Sequence, residues 1–540
     1  MLLLPFEPLA PLARIFGLQV SFLEAGAVVL LGASAIGVVS RRPSLRTPLG
    51  APVLLLLAAF FVSATFAEGS ILLPLKFAGR MAAGAAAFFL AAQALSIAPR
   101  FPLLFLGLSA AGALTASFAL VEAGPWSFDE PLLAPFREHA FEVGGRPRAA
   151  ATFSYPNTAG GFLSLALAPA LYGFLRERGR KAAAFAAFAC FAIVAAILLT
   201  YSRGALLGAA ASGGTFWWLV RSRPLLRLEA GLVLVAAAFF AFEPSFRWRT
   251  STEGDRSWYE ARIEPRSRTL ALEPGTLAKT EVSVSNLGKL SWGSKGEKPF
   301  HLSYRWFRLS GKSDLQPVPI EGERTRIDRP LEPGETATVT ATVRAPRERG
   351  SYVLIWDMVH EHTTWFSDKV GLGAPVSVAV GGGKKATSLP DVEDVRRTLA
   401  ERSWRPGRTE LWSIALQLFR THPLLGVGPD NFRWLYGPAR GHAIWDSRVF
   451  SNSLYLELLA TVGLAGFTAF VVLMGKALSG LRRRAIEGPW SLEAAALSAS
   501  LAGFLVHGLF DYLLAFTPIY LAVFTLLGAA SAAIGGEVRS

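Results

Sequence analysis

Residues 182–200 read AAAFAAFACFAIVAAILLT. The three residues Tyr201, Ser202 and Arg203 then separate this run from a second apolar stretch at 204–220. A run of this length without an ionised side chain matches the ~20 residues that a helix needs to cross a hydrocarbon core of about 30 Å. It is read as a membrane-spanning helix, with the three-residue turn closing a hairpin of two spans. Similar runs lie near 20–39, 50–67, 71–95, 101–122, 158–175, 228–242, 452–474, 492–511 and 514–534, which makes about 11 spans. The count becomes 12 if the Pro-broken residues 1–18 add a short or re-entrant helix. Composition agrees, since 52% of the 540 residues are hydrophobic and the mean hydropathy is +0.38, well above what a soluble domain needs.

The net charge of +14 is concentrated in clusters between the apolar runs: Arg41, Arg42 and Arg46; Arg176, Arg178, Arg180 and Lys181; Arg221, Arg223 and Arg227; Arg482, Arg483 and Arg484. Four, two and two spans separate successive clusters, so all fall on one side, which the positive-inside rule makes the cytoplasm. Segment 243–450, the loop 123–157 and the turn at Arg203 then face the other way. The expected location is a bacterial inner membrane, multi-pass, with the large loop periplasmic or extracellular. Clustered basic residues of this kind do not call for nucleic acid. A single cysteine, Cys190, excludes an internal disulfide framework and a cysteine-rich metal site. Pro5, Pro8 and Pro11, with no basic region ahead of an apolar core, argue against a cleavable signal. Phosphate-loop, dinucleotide-binding and His-Glu-x-x-His patterns do not occur.

Between 258 and 382 the period changes to two, as in Glu281-Val282-Ser283-Val284 and Thr338-Val339-Thr340-Ala341-Thr342-Val343, with turn signals at Pro274-Gly275, Pro333-Gly334 and Arg349-Gly350. These are half-buried strands of a β-sandwich. TEVSVSNLGKLSW, PGETATVTATVRAP and GSYVLIWDMVHEHTTWF resemble the immunoglobulin-like modules attached to bacterial carbohydrate enzymes. Trp365 and Phe366 are either a sugar-stacking surface or, as aromatics near a strand end more often are, core. The predicted class is mainly α, a polytopic transmembrane helical bundle with an inserted all-β immunoglobulin-like sandwich in the large extracytoplasmic loop. Its parts are 1–242 and 451–540 as membrane helices, 258–382 as the insert, and 390–450 as a helical extracytoplasmic region.

Three arginines stand out. Arg203 sits in the turn at the outer boundary, and Arg80 lies nine residues into its span from the outer end. Arg408 opens RTELWSIALQLFRTHP, where Leu411, Ile414, Ala415 and Leu418 recur at helical spacing. Each has a bland reading, snorkelling for the first two and a solvated helix start for the third. Converging, they would suit a lipid-linked diphosphate, because guanidinium groups bind phosphate oxygens through charge-assisted hydrogen bonds.

FSYPNTAGGFLSLALAPALYG, LLTYSRGALLGAAAS, RTELWSIALQLFRTHPLLGVGPDNF and SNSLYLELLATVGLAGF, in this order, resemble the O-antigen ligase and polymerase superfamily. The resemblance covers both membrane parts and excludes the insert. It implies a metal-independent, cofactor-free glycosyltransferase that moves glycan from undecaprenyl diphosphate to a glycan, lipid or protein acceptor, with membrane lipid around it. It also implies that Arg203 and Arg408 engage the donor diphosphate. The family commonly places a histidine one or two residues before the Asn that opens the last block. Here Phe450 and Ser451 precede Asn452, and a serine hydroxyl is no general base without help. His442 in the same loop and Glu457 one turn into the helix are the candidate substitutes, with departure of the diphosphate alone, or lost activity, as the other options. Asn157 is expected to cap the helix after Pro156 or to line the site, and His422 to be loop structure. His507 and Asp511 are spaced to pair on one helix face. The rival to a polymerase, ligase or protein-glycosylating enzyme is a non-catalytic scaffold or transporter for lipid-linked glycan assembly.

Overall fold

A computed structural model describes residues 1–15, 18–26, 29, 47–124, 129–137, 140–143, 146–177, 179–251, 256–296, 298–310, 314–361, 363–370, 373–381, 404, 406–442, 445–487 and 490–536. The main helices are α1 (Gly50–Thr65), α2 (Leu72–Ile97), α3 (Phe101–Glu122), α4 (Pro156–Arg176), α5 (Arg180–Leu199), α6 (Arg203–Val220), α7 (Arg223–Phe242), α8 (Arg408–Thr421), α9 (Leu454–Glu487), α10 (Ser491–His507) and α11 (Thr517–Gly535). Prolines stand in the first turns of α3, α4, α7 and α11, where the missing N–H costs nothing.

Among the described residues seven of these helices, α2, α3, α4, α5, α7, α9 and α11, are long and apolar enough to cross a membrane. Two shorter apolar helices, α1 and α10, accompany them. The chain is therefore a multi-pass membrane protein. The estimate of about 11 spans is higher for local reasons. Helix α6 occupies the expected run 204–220, but Gly204, Gly208, Gly213, Gly214 and Ser212 dilute its hydropathy. Most of the 20–39 run, with Arg41, Arg42 and Arg46, lies outside the described residues. Among the described residues of 1–18 no helix forms: strands β1 (Ala13–Ile15) and β2 (Leu18–Val20) pair antiparallel there.

Short links make consecutive helices antiparallel, so loops gather at two ends. One end holds Arg176, Arg180, Lys181, Arg221, Arg223 and the cluster Arg482–Arg484. There Arg484 donates from Nε and Nη2 to the carbonyl of Ile534, in the last turn of α11, a favourable place for a cation. The opposite end carries the long loops. Helices α4 and α11 are buried over most of their length. Glycines bring α6 and α10 close together: a Cβ on Gly208 would stand 2.9 Å from the Gly503 carbonyl oxygen, and one on Gly503 2.8 Å from that of Gly208.

The β-rich insert has two sheets. In one, β11 (Thr336–Arg344), β7 (Leu277–Asn286) and β5 (Ala261–Pro265) are antiparallel neighbours. In the other, β10 (Thr325–Arg326), β8 (Phe300–Ser310), β12 (Gly350–His360), β14 (Ala374–Val380) and β6 (Thr269–Leu272) lie side by side. Strands β9 (Asp314–Glu321) and β13 (Thr364–Trp365) pair with β8 and β12, and β14 and β6 run parallel. Alternate residues Val282, Val284, Ala341 and Val343 of the smaller sheet are buried, as are Leu302, Tyr304, Trp306, Leu354, Trp356 and Met358 of the larger. Arg344 joins the sheets, its N–H donating to the Tyr304 hydroxyl (2.7 Å) and its carbonyl accepting from Trp306 Nε1 (3.2 Å). Phe366 is core, in edge contact with the rings of Tyr259 and Trp292. Trp365 is half-buried beneath the guanidinium groups of Arg305 (4.1 Å) and Arg324 (5.1 Å). Lys298 reaches Glu142, on the hairpin of β3 (Phe141–Val143) and β4 (Arg146–Arg148), at 2.9 Å, tying the insert to the loop between α3 and α4.

Candidate functional site

The loop-rich end is organised by a break in α9. Gly463 has φ 61 and ψ −165, a region essentially restricted to glycine. The break frees backbone groups on both of its sides, and the segment Pro423-Leu424-Leu425-Gly426-Val427-Gly428 takes them up. Val427 N–H donates to the Ala460 carbonyl and Gly428 N–H to that of Thr461, while Leu464 N–H and Ala465 N–H donate to the carbonyls of Pro423 and Leu424. Side chains of any size are excluded from the contact. A Cβ on Gly463 would lie 2.4 Å from the Leu424 carbonyl carbon, and one on Gly426, itself at φ 68, would lie 2.3 Å from that of Thr461. Ser63 of α1 donates to the Leu425 and Thr461 carbonyls, and Asn431 Nδ2 to those of Glu68 and Val427. PLLGVGPDNF is thus a brace between α1 and α9, and it delivers Asp430 and Arg433.

A cavity of about 250 Å³ opens beside the brace, lined by Leu73, Lys76, Phe77, Arg80, Tyr155, Asp430, Arg433, Arg448, Phe450, Ala515 and Phe516. Lys76 and Arg80 come from successive turns of α2, Arg433 from the short helix Phe432–Leu435, and Arg448 from the loop ahead of α9. The lining carries four cations and one carboxylate, with Glu24 and Asp446 paired to two of the cations from beside it, which leaves it basic. Arg80 is held by Glu24 (2.8 Å), by Thr517 Oγ1 (2.9 Å) and by the rings of Phe77 and Tyr520. Arg433 forks onto Asp430 through Nε (2.8 Å) and Nη2 (2.7 Å), donates from Nη1 to the Ser447 carbonyl, and lies over Phe450 at 5.9 Å. The fork is taken by Asp430, and it fixes the Arg433 guanidinium at the cavity wall. Arg448 pairs with Asp446 and is half-exposed.

Tyr155 and Phe516, whose rings are 6.0 Å apart, line this cavity, and a second polar chain runs through residues close to them in sequence. Arg148 Nη2 donates to Asn157 Oδ1 (3.1 Å), Asn157 Nδ2 donates to Asp511 Oδ2 (2.9 Å), and the same oxygen is 3.5 Å from His507 Nε2. Helix α10 ends at His507, so this pair spans a helix end rather than one helix face. Asn157 does not cap α4. Pro156 takes the first helical position, Tyr155 is the N-cap without a side-chain bond, and the Asn157 amide serves Arg148 and Asp511 instead.

The other sequence candidates are dispersed. Arg203 opens α6 just after the Tyr201 turn (φ 51), with Ser202 as N-cap accepting from Ala205 N–H. Arg408 starts α8, whose face of Leu411, Ile414, Ala415 and Leu418 is buried. Neither lines the cavity, whereas Arg80 does. His442 stacks on Trp404 at 3.9 Å, in a separate cluster with Tyr436. Glu457 is buried and accepts the Ser451 N–H (2.8 Å), Ser451 Oγ donates to the Ser453 carbonyl, and Asn452 takes φ 54. His422 is the C-cap of α8. Among the described residues no group of three or more His, Cys, Asp and Glu is placed to hold a metal ion. Lys76, Arg433, Arg448 and Arg148 escaped the sequence reading. Arg433 carried one signal, aromatic residues on both sides in Asn431-Phe432-Arg433-Trp434, and Lys76 another, a charge four residues before Arg80 in the same apolar run.

These features define a multi-pass membrane protein with a β-sheet insert and a braced, basic cavity at the loop-rich end of its helices. Residues 370–471 match the family model described as O-antigen ligase. No curated protein matches the chain. Among solved structures, the ASH / PapD-like domain of human CEP192 (PapD-like domain 7) matches at 16% identity, over 24% of this chain and 89% of that one, with a TM-score of 0.14.

Proposed function

We propose that the protein transfers or polymerises glycan carried on undecaprenyl diphosphate, at the extracytoplasmic face of a bacterial inner membrane. The carrying observation is the basic cavity of Lys76, Arg80, Arg433 and Arg448 at the end of the bundle opposite the arginine clusters. By the positive-inside rule those clusters face the cytoplasm, so the cavity opens outward. A diphosphate seated there leaves the sugar toward the loops and the insert, and the lipid toward the bilayer. The acceptor hydroxyl attacks the anomeric carbon, and the bond to the diphosphate breaks with its electron pair remaining on oxygen. Lys76, Arg80 and Arg433 stabilise that leaving charge without reorganising. The family resemblance gives Arg203 and Arg408 a role toward the donor, but neither lines this cavity, so the diphosphate is assigned to Lys76, Arg80 and Arg433; the reaction needs no metal in this scheme. The insert is proposed as an immunoglobulin-like sandwich that engages glycan or a partner.

The test is transfer by the purified protein in lipid nanodiscs, with an undecaprenyl-diphosphate-linked oligosaccharide as donor. Arg80→Ala and Arg433→Ala should abolish transfer and weaken undecaprenyl diphosphate binding while leaving the protein folded. Wild-type affinity in both variants would refute the assignment. In cells, accumulated single lipid-linked units would mark a polymerase, and accumulated long lipid-linked chains a ligase.

A further inference from the structure

Transfer to a hydroxyl acceptor releases one proton, and the cations around the cavity cannot take it. Resting on the transfer chemistry proposed above, we infer that Asp511, seated against His507 and Asn157, is the carboxylate that accepts this proton. Its segment is in the right place. Residues 508–516 run beside 450–454: Leu454 N–H donates to the Gly508 carbonyl at 2.7 Å, and the rings of Phe450 and Tyr512 are 5.5 Å apart. Phe450, Ala515 and Phe516 line the cationic cavity itself. Basicity missing at Phe450 and Ser451 is thus supplied from the adjoining strand of chain.

The local geometry presents one oxygen and ties down the other. Asn157 Nδ2 donates to Oδ2, with His507 Nε2 3.5 Å from the same oxygen, so Oδ1 is the atom offered to an acceptor, and the side chain keeps 13% of its surface exposed. Asn157 is itself oriented by Arg148, which is anchored through Nε to the Thr200 carbonyl at 3.1 Å. His507 is fully buried and neither ring nitrogen makes a hydrogen bond, a costly state for an imidazole unless a neighbour repays it. Glycines make the room for it. A Cβ on Gly204 would lie 2.7 Å from His507 Cδ2, one on Gly208 3.1 Å from its Cβ, and one on Gly161 3.4 Å from its Cε1. The fold thus reserves space on α4 and α6 for a ring whose Nε2 lies 3.5 Å from Asp511 Oδ2. The alternatives are worse placed: His442 lies flat on Trp404, and Glu457 has no exposed surface to meet an acceptor, although only its Oε2 is engaged, by the Ser451 N–H.

In the step itself the acceptor O–H bond breaks and its proton passes to Asp511 Oδ1. The oxygen's electron pair forms the bond to the anomeric carbon, and the departing pair stays on the diphosphate. Water later removes the proton from Asp511. Asp511→Asn keeps the shape and an oxygen for the Asn157 amide, and loses only the ability to take a proton. It should lower kcat at least roughly 100-fold, with donor KM and undecaprenyl diphosphate binding within about twofold of wild type and an unchanged thermal midpoint. Asp511→Glu should recover part of the rate. A kcat for Asp511→Asn within about threefold of wild type, or loss of donor binding in step with kcat, would overturn the assignment. If wild type bound no undecaprenyl diphosphate and transferred nothing, the cavity reading would fall first and this assignment with it.

Discussion

Replacing Gly463 by alanine should collapse the site without touching a charged residue. The backbone there sits at φ 61 and ψ −165, where a side chain costs about 1–3 kcal/mol. The added Cβ also meets the Leu424 carbonyl at 2.4 Å, so the brace must withdraw. Withdrawal forfeits the four backbone hydrogen bonds exchanged between 423–428 and 460–465, worth about 1 kcal/mol each. Strain and lost bonds together come to about 5–7 kcal/mol, and the withdrawal also displaces Asp430 and Arg433 from the cavity. Thermal unfolding in detergent, followed by tryptophan fluorescence, and transfer in nanodiscs should both report the damage. Gly475→Ala on the same helix is the control. A Cβ there meets nothing within 4 Å, and the change should be neutral or stabilising by up to about 1 kcal/mol. A Gly463→Ala protein with wild-type unfolding midpoint and wild-type transfer would refute the brace.

Arg433→Lys keeps the charge but loses the fork onto Asp430, and should weaken undecaprenyl diphosphate binding roughly tenfold, measured by titration into nanodiscs; equal affinity would show that only charge matters there. Glu122 accepts from buried Arg137 and from the N–H groups of Ala150 and Ala151, so Glu122→Ala should cost about 3 kcal/mol or more by stranding Arg137, read as a lowered unfolding midpoint. In the insert, burial pushes the Asp357 carboxyl up to about 7 and the His360 imidazole down to about 4. Folded Asp357 holds a proton that the unfolded chain gives up, so its contribution falls as pH rises from about 4 to 7. Folded His360 stays neutral where the unfolded chain is protonated, so its contribution rises between about 4 and 6.5. Asp357→Asn should leave a midpoint for the insert that climbs with pH over this range, and His360→Phe one that declines. The same slope in both variants would contradict the assignment.

Membrane helices and strands were legible because each depends on a local period. The runs 101–122 and 182–200 and the alternation at 281–284 state their own burial. The site was only partly legible, because its parts meet through contacts between distant segments. Gly463 reads as one more glycine in an apolar helix, since its meaning lies in Gly426, 37 residues earlier. Arg433 has no periodic neighbour to mark it, and its role depends on Asp430 and on the brace. Arg80 could be singled out because a charge inside an apolar run is conspicuous. Asp511 is less so, since it follows a helix end and its partner Asn157 belongs to the other half of the chain.

The exchange of hydrogen bonds at the α9 break also dictates an order of assembly. The brace is synthesised before the helix that completes it, so residues 423–428 must wait, with backbone groups unmet, until 460–465 arrive. The cavity therefore comes into being only when the last third of the membrane bundle is inserted, and a chain stopped short of α9 has spans but no site.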